Sequence, residues 1–148
     1  MMDAELVALA DQVLAENRKL GRRIATAESC TGGMLGMRLT AVPGSSRVVQ
    51  GGTIAYANAV KVRELDVSQS DLDAHGAVSE PVARAMATGA RRRFGTNIGI
   101  GITGIAGPDG GTPEKPVGTV WVAVDCDGEV HAVRAVLPGD RSEIRYRA

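Results

Sequence analysis

The sequence predicts one layered α/β domain, in which helices pack on a mixed parallel and antiparallel sheet of about five strands. The length of 148 residues is that of a single ordinary domain, so positions 1–148 are assigned to one unit. Helical and extended patterns alternate along the chain, which is typical of α/β folds. The pair Asp127-Gly128 separates two alternating apolar runs and predicts a β-hairpin, so at least one strand pair is antiparallel.

The first half of the chain alternates helices with strands. Leu6, Leu9 and Val13 fall near one face of the first helix, and Gly21 is placed to end it. The second strand contains two glycines at 51–52, which indicate a bulge or a close approach of backbone. The predicted elements are a helix over 3–20, a strand over 23–27, a helix over 34–40, a strand over 48–57, a helix over 58–65 and a helical turn over 70–74.

The second half opens with a strong helix start at 79–81, where a serine, an acid and an early proline follow one another. Gly95 ends this helix after Phe94. The next strand alternates isoleucine with glycine, so one of its faces is nearly bare and allows close packing. The remaining predictions are a strand over 97–103, a glycine- and proline-rich loop over 104–115, strands over 117–124 and 129–137, and a final helix that opens at 139–141 and runs to 148.

Composition excludes several classes of protein. The 17 basic and 17 acidic residues balance, which argues against nucleic acid or anionic lipid as partners held by bulk charge. One Trp, one Phe and two Tyr make a poor platform for stacking bases. We expect no membrane partner, because the chain has no long apolar run and no signal-peptide start. Cys30 and Cys126 lie far apart without metal-ligand spacing, which favours a reducing cytoplasm.

The turn at 27–33, with the sequence AESCTGG, joins a predicted strand to a predicted helix. Exposed amides at such a helix start can bind an anion, and its glycines let the backbone approach a ligand. An N-cap followed by flexible glycines explains the same residues equally well. Glu28 lies beside Ser29, and the sequence does not define its role.

Lys61 is one of only three lysines, against fourteen arginines. An amine can lose its proton where a guanidinium cannot, and partial burial would lower its pKa enough to make it a general base. On spacing alone, a solvent-exposed helix lysine is the favoured interpretation.

Residues 101–108 pass from the end of a predicted strand into a glycine-rich loop. Open α/β sheets commonly bind ligands at such a place, although an ordinary turn explains the same residues equally well. His75 and His131 lack any metal-binding spacing, so we expect no metal and no cofactor. Asp125 and Asp127 are assigned to the chemistry of the hairpin turn.

Six short segments follow one another in a specific order along the chain. They are AESCTGG at 27–33, YANAVK at 56–61, GAVSEP at 76–81, TGIAGP at 103–108, KPVGTVW at 115–121 and GDR at 139–141. Together they resemble the C-terminal domain family of CinA, the competence/damage-inducible proteins. The resemblance covers nearly the whole chain, and six motifs in order make it highly specific.

The stand-alone members of that family are nicotinamide-nucleotide amidases. The resemblance therefore implies hydrolysis of nicotinamide mononucleotide to nicotinate mononucleotide and ammonia, in pyridine-nucleotide salvage. The family's nucleophilic serine falls on Ser29, its lysine on Lys61 and its tyrosine on Tyr56. Its threonine falls on Thr103 and the arginine of its GDR motif on Arg141. The expected substrate contacts are Thr31, Gly32, Gly33, Asn58, Thr103, Gly104 and Arg141.

The chemistry of these residues is consistent with that activity. Serine is a weak nucleophile until a base takes its proton, and without a well-placed histidine Lys61 is the expected base. Tyr56 is expected to relay a proton or to orient the lysine. Backbone amides near 31–33 or at 103–104 are candidates for holding the oxyanion, and Arg141 can grip a phosphate bidentately.

The sequence departs from the family pattern in two ways, and a second function is compatible with the same fold. Full-length CinA proteins carry a further N-terminal domain, and family members usually continue the final helix, which we expect to be shortened at Ala148 here. Family members commonly self-associate, so we expect a homo-oligomer. The alternative function is a non-catalytic module that binds a nucleotide or a partner, although such a module has no need of Ser29, Tyr56 and Lys61 together.

Overall fold

The structure, a computed structural model, describes residues 3–148. Its elements alternate along the chain in the predicted order, and Ser45–Arg47 adds a 3₁₀ turn in the loop after the second helix. The helices are α1 (Ala4–Lys19), α2 (Met34–Thr40), α3 (Asn58–Leu65), α4 (Gln69–His75), α5 (Glu80–Phe94) and α6 (Arg141–Arg147). The strands are β1 (Ile24–Glu28), β2 (Val49–Ile54), β3 (Ile98–Gly104), β4 (Thr119–Cys126) and β5 (Glu129–Val136).

The five strands form one mixed sheet in the order β2-β1-β3-β4-β5. β1 runs parallel to both β2 and β3, whereas β3, β4 and β5 pair antiparallel. The connection from β1 to β2 passes through α2, and the connection from β2 to β3 passes through α3, α4 and α5. The predicted fold class, a single α/β domain with a mixed five-stranded sheet, is confirmed.

Helices cover both faces of the sheet. On one face, α5 packs across all five strands, and Ala25 and Ala27 of β1 join Met86 in the core beneath it. On the other face, Ile24 of β1 packs with Leu14 of α1. Every residue of β1 is buried, because the strand lies between two neighbours and under helices on both sides.

The alternating glycines of β3 bring α5 unusually close to the sheet. A Cβ at Gly99 would lie 1.9 Å from the carbonyl oxygen of Ala87, and a Cβ at Gly101 would lie 2.6 Å from that of Ala83. No side chain fits in such a space, so the bare face of the strand is a requirement of the packing. The predicted close approach at this strand is confirmed.

The glycine pair in β2 shows both features that the sequence indicates. The register between β1 and β2 shifts after Ile24, which pairs with Val49, while Ala25 pairs with Gly51. A Cβ at Gly51 would lie 2.9 Å from the ring of Phe94, and one at Gly52 would lie 2.2 Å from Oγ1 of Thr26. The strand itself is shorter than predicted, because residues 55–57 leave the sheet to enter α3.

The hairpin between β4 and β5 turns at Asp127 and Gly128, which have positive φ angles of 52° and 97°. Both residues tolerate this conformation, as the two-residue turn requires. Asp125 was assigned to the turn, and its Oδ1 does accept from the amide of Gly128 at 2.8 Å. The side chain is also fully buried and pairs with Arg91 of α5, so the turn explains only part of its role.

α6 is short but firmly anchored. Asp140 and Glu143 form a reciprocal capping box at its first turn, which satisfies two backbone donors. Ile144 is 1% exposed and packs in the core with Ile102 and Val120. The predicted final helix is therefore present over seven residues.

No helix within residues 3–148 is long and apolar enough to cross a membrane.

Candidate active site

The site lies at the carboxyl end of β1, where the strand order of the sheet reverses. From β1, the chain moves through α2 to β2 on one side, and it then returns through α5 to β3 on the other side. The carboxyl ends of β1 and β3 are parallel neighbours, and the connections leaving them diverge. Open α/β sheets bind ligands in the crevice that such a switch point creates.

Ser29 is the first residue beyond β1 and is 8% exposed. Its amide donates to the carbonyl of Ile102 in β3 at 3.0 Å, and its carbonyl accepts from the amide of Gly32 at 3.1 Å. The first bond ties the end of β1 to β3, and the second closes a tight turn between β1 and α2. The turn holds the hydroxyl of Ser29 at the crevice between β1 and β3.

Lys61 comes from α3 and is 1% exposed, so the interpretation as a solvent-exposed helix lysine is wrong. Its Nζ lies 3.1 Å from Oγ of Ser29 and donates to the carbonyl oxygen of Tyr56 at 3.0 Å. No carboxylate within residues 3–148 lies at ion-pair distance from this amine. Burial lowers the pKa of Lys61, because the low-dielectric interior disfavours the ammonium form.

Tyr56 and Arg141 meet at the mouth of the crevice. Nη2 of Arg141 donates to the hydroxyl of Tyr56 at 3.2 Å, and Nη1 donates to the carbonyl oxygen of Gly107 at 2.6 Å. The Tyr56 side chain is 63% exposed, and its backbone carbonyl, not its hydroxyl, contacts Lys61. The contact with the lysine is therefore made by the backbone at Tyr56 and not by its phenol.

These side chains surround a cavity of about 200 Å³. Its base is Ser29 and Lys61, and the side chain at its mouth is Arg141. None of its lining residues is acidic, so the cavity has a cationic character. The lining residues are Ser29, Cys30, Tyr56, Asn58, Lys61, Ala77, Val78, Thr103, Gly104, Ala106 and Arg141.

Thr103 and Gly104 form the β3 side of the cavity. The Thr103 hydroxyl donates to the carbonyl oxygen of Ala77 at 2.8 Å, which ties the strand end to the loop before α5. A Cβ at Gly104 would lie 2.8 Å from Val120 and 3.0 Å from Sγ of Cys30. Glycine is therefore needed here for the strand end to close against the turn after β1.

Thr31, Gly32 and Gly33, which the sequence places among the substrate contacts, do not line the cavity. The Thr31 hydroxyl is buried and donates to Oε1 of Glu28 at 2.6 Å. Gly32 and Gly33 have positive φ angles of 60° and 99°, so they serve the turn into α2. The three residues shape the backbone beside Ser29.

Glu28 has a structural role that the sequence did not define. Its carboxylate accepts from the amides of Leu35 and Gly36 at 2.9 and 3.0 Å, in addition to the hydroxyl of Thr31. It therefore satisfies free amides in the first turn of α2, across the turn from Ser29.

Sequence reasoning missed the apolar walls of the cavity. Ala77 and Val78 lie within the GAVSEP segment, and that motif is the signal in the sequence that could have pointed to them. Cys30 is buried beside Ser29, and burial raises the pKa of its thiol to about 11. This thiol is therefore neutral and acts as an apolar wall, not as a nucleophile.

Residues 3–148 contain no group of three His, Cys, Asp or Glu side chains placed to hold a metal ion.

Comparison with known sequences identifies close relatives. The family model described as the CinA C-terminal domain matches residues 6–148. A CinA-like protein of Gemmatimonas aurantiaca is 72% identical over 146 residues, which are 99% of this chain. A CinA-like protein of Anaeromyxobacter sp. is 56% identical over 140 residues, or 95% of this chain. The chain spans only 33% and 34% of the length of these two curated relatives.

Comparison with solved structures gives a matching result. A competence/damage-inducible protein of Agrobacterium tumefaciens superposes with a TM-score of 0.96 at 39% identity, over 99% of this chain and 90% of that one. A CinA superfamily protein of Escherichia coli superposes with a TM-score of 0.94 at 33% identity, over 100% of this chain and 87% of that one.

Proposed function

The chain belongs to the CinA C-terminal domain family, and from that membership we propose that it hydrolyses the carboxamide of nicotinamide mononucleotide to nicotinate mononucleotide and ammonia. The observation that supports this function best is the contact between Nζ of Lys61 and Oγ of Ser29 at 3.1 Å, at the base of the cavity. A buried amine with no carboxylate partner, beside a serine hydroxyl, is the arrangement that a serine amidase with a lysine base needs.

The first half of the reaction is transfer of the acyl group to Ser29. Neutral Lys61 accepts the hydroxyl proton as Oγ attacks the carboxamide carbon, and a tetrahedral intermediate forms. The carbon–nitrogen bond then breaks, and the lysine ammonium returns the proton to the leaving nitrogen, which departs as ammonia. The nicotinoyl group remains as an ester on Ser29. The bond from Nζ to the carbonyl of Tyr56 holds the amine in position throughout.

The second half is hydrolysis of that ester. Lys61 takes a proton from water as the water oxygen attacks the ester carbon, and the second tetrahedral intermediate releases Oγ of Ser29. The same ammonium returns the proton to Oγ, so the enzyme is restored and nicotinate mononucleotide leaves.

Backbone amides of the turn after β1 are suited to stabilise the oxyanion. Within residues 3–148, the amides of Cys30 and Thr31 donate to no backbone or side-chain acceptor, although the neighbouring amides of Ser29 and Gly32 do. Free amides next to the nucleophile are the usual oxyanion donors, and each is worth about 3 kcal/mol of transition-state stabilisation.

The size and charge of the cavity suit a substrate whose anionic end lies at the mouth. A volume of about 200 Å³ is smaller than the roughly 300 Å³ at which whole-ligand sites usually begin. The pyridine carboxamide therefore occupies the cavity, and the ribose and phosphate extend past Tyr56 and Asn58. The guanidinium of Arg141 has no carboxylate partner within residues 3–148, and it is suited to bind the phosphate.

The proposal is tested by measuring ammonia release from nicotinamide mononucleotide with no metal added. We expect turnover by the wild type and a loss of at least about a thousandfold in kcat for Ser29→Ala. Ser45→Ala is the matched control, because Ser45 is also 8% exposed but does not line the cavity. Full activity in Ser29→Ala would overturn the nucleophile assignment. Binding of the nucleotide without turnover by the wild type would instead favour the non-catalytic module.

Two further properties belong to this proposal. We propose that the protein acts in a reducing cytoplasm, which fits its two free cysteines, Cys30 and Cys126. We also propose that it self-associates, as family members commonly do, and light scattering of the purified chain measures this directly.

A further inference from the structure

Arg145 of α6 contacts the turn that carries Ser29 from a distant part of the sequence. Its Nε donates to the carbonyl oxygen of Cys30 at 2.9 Å. Arg145 is half-buried, and no carboxylate within residues 3–148 lies at ion-pair distance from it. The positive charge of its guanidinium is therefore directed at the backbone of the turn.

The carbonyl that accepts from Arg145 belongs to the Cys30–Thr31 peptide unit, which also carries the Thr31 N–H. A peptide unit is planar, so fixing the Cys30 carbonyl also fixes the direction of the Thr31 N–H in the same plane. That N–H donates to no backbone or side-chain acceptor within the described chain. A cationic donor on the carbonyl also polarises the unit and makes its N–H a stronger donor.

The surrounding residues keep Arg145 in this place. Ile144, its neighbour in α6, is 1% exposed and packs in the same core cluster as Cys30, which fixes the helix against the turn. Gly32 leaves space for the guanidinium, because a Cβ there would lie 3.3 Å from Nη2 of Arg145. The glycine therefore serves the turn in two ways, through its positive φ and through this space.

We propose that Arg145 is a positioning residue for the proposed amidase reaction: it fixes the Cys30–Thr31 peptide so that the turn presents Ser29 and its free amides correctly. This inference rests on the proposed function for its kinetic consequence. Arg145 does not line the cavity, so it acts through the turn and not on the substrate. α6 thus contributes to the site twice, with Arg141 at the mouth and Arg145 at the turn.

The kinetic test compares Arg145→Met with Arg147→Met. Arg147 is the matched control, because it lies in the same helix, is exposed, and donates to the carbonyl of Pro138, away from the turn that carries Ser29. We expect kcat for ammonia release to fall about ten- to a hundredfold in Arg145→Met with KM changed by less than about threefold. Arg147→Met should retain wild-type kcat, and Arg145→Lys should recover part of the loss, because an ammonium also donates to a carbonyl.

A second measurement does not depend on turnover. The Gly32 amide closes the turn by donating to the carbonyl of Ser29, so its hydrogen exchange, followed by NMR, reports how well the turn is held. We expect faster exchange in Arg145→Met and wild-type exchange in Arg147→Met. If an active wild type and Arg145→Met have equal kcat, or if their Gly32 exchange is equal, the positioning role is wrong. A wild type without turnover overturns the proposed function, and the exchange result then decides the positioning role alone.

Discussion

At the scale of single residues, the candidate site depends on a buried amine that no side-chain carboxylate of residues 3–148 approaches within ion-pair distance. Lys61 is 1% exposed, and its amine contacts the hydroxyl of Ser29 and the carbonyl oxygen of Tyr56. Burial lowers the pKa of Lys61, so the neutral form needed by a general base is reached at a lower pH than for an exposed lysine.

This lowered pKa predicts the pH dependence of the proposed reaction. We expect kcat/KM for ammonia release to rise with pH and to level off above an apparent pKa that lies below the ordinary lysine value of 10.5. The reason is that only neutral Lys61 can accept the proton of Ser29. Initial rates across the neutral and alkaline range measure this profile, with substrate stability checked at each pH. A rate that falls as the pH rises through this range would contradict a lysine base.

The same burial has a cost in stability. A lysine whose pKa is lowered in the folded state binds fewer protons there than in the unfolded chain, so its stability penalty is largest at low pH and is relieved as the pH rises towards 10.5. We expect Lys61→Met to raise the free energy of unfolding at neutral pH by about 1 kcal/mol while abolishing turnover. Denaturant unfolding at several pH values measures this, with Lys19→Met as the control because the Lys19 side chain is 76% exposed. A destabilised Lys61→Met would contradict the prediction.

The sequence predicted which residues meet at the cavity better than it predicted their contacts. Composition singled out Lys61, and the resemblance placed it with Ser29, but no pattern in the sequence shows that the lysine is buried. Thr31 lies two positions from Ser29, yet its hydroxyl donates to Glu28 and does not line the cavity. Which way a side chain points from a tight turn depends on backbone angles that neighbouring residue types do not determine.

At the scale of elements, the packing of α5 on β3 depends on residues without side chains. Gly99 and Gly101 let the helix backbone lie directly on the strand, and this contact fixes the loop that contributes Ala77 and Val78 to the cavity. The sequence predicted this bare face from its period of two. It did not reveal which helix would cover the strand, because that choice is made by long-range packing.

Substitution of one of these glycines should therefore be severe. A Cβ at Gly99 would lie 1.9 Å from a backbone oxygen of α5, so we expect Gly99→Ala to lower the free energy of unfolding by at least about 3 kcal/mol. Gly36→Ala is the control, because its Cβ would lie 3.6 Å from the nearest atom, an ordinary contact, and alanine favours helix α2. Urea unfolding of both variants gives the comparison. Equal stability of the two variants would show that the helix can move away from the strand at little cost.

Element boundaries were predicted less well than element types. β4 was expected over 117–124 but begins at Thr119 and extends to Cys126, because Gly118 has a φ of 96° and leaves the strand conformation. The sequence includes residues 55–57 in the second strand because Tyr56 suits a sheet, but these residues turn the chain into α3, which begins at Asn58. In both places the backbone turns out of the strand direction, and the side-chain pattern of the strand does not show where that turn occurs.

At the scale of the whole molecule, a buried ion pair joins the helix layer to the sheet. Nε of Arg91 in α5 lies 2.8 Å from Oδ1 of Asp125 in β4, and the hydroxyl of Thr88 donates to Oδ2 at 2.7 Å. The sequence predicts only the role of Asp125 in the hairpin turn and not its pairing with Arg91, because the two residues are far apart along the chain. Burial by itself raises the pKa of Asp125, but the bonds from Thr88, Arg91 and the Gly128 amide outweigh it and hold the pKa below the usual 3.8.

This ion pair predicts how the whole domain responds to acid. A carboxyl whose pKa is lowered by folding stabilises the domain above its unfolded value of 3.8, and that stability is lost as the pH falls through the lower folded value. We expect Asp125→Asn to lower the free energy of unfolding by about 3 kcal/mol at neutral pH, because Arg91 is left without its carboxylate. We also expect the free energy of unfolding of this variant to fall less steeply with pH in acid than that of the wild type. Thermal unfolding from neutral pH into acid measures both effects, with the exposed Asp11→Asn as the control. An acid limb as steep in Asp125→Asn as in the wild type would assign the acid sensitivity to other carboxylates.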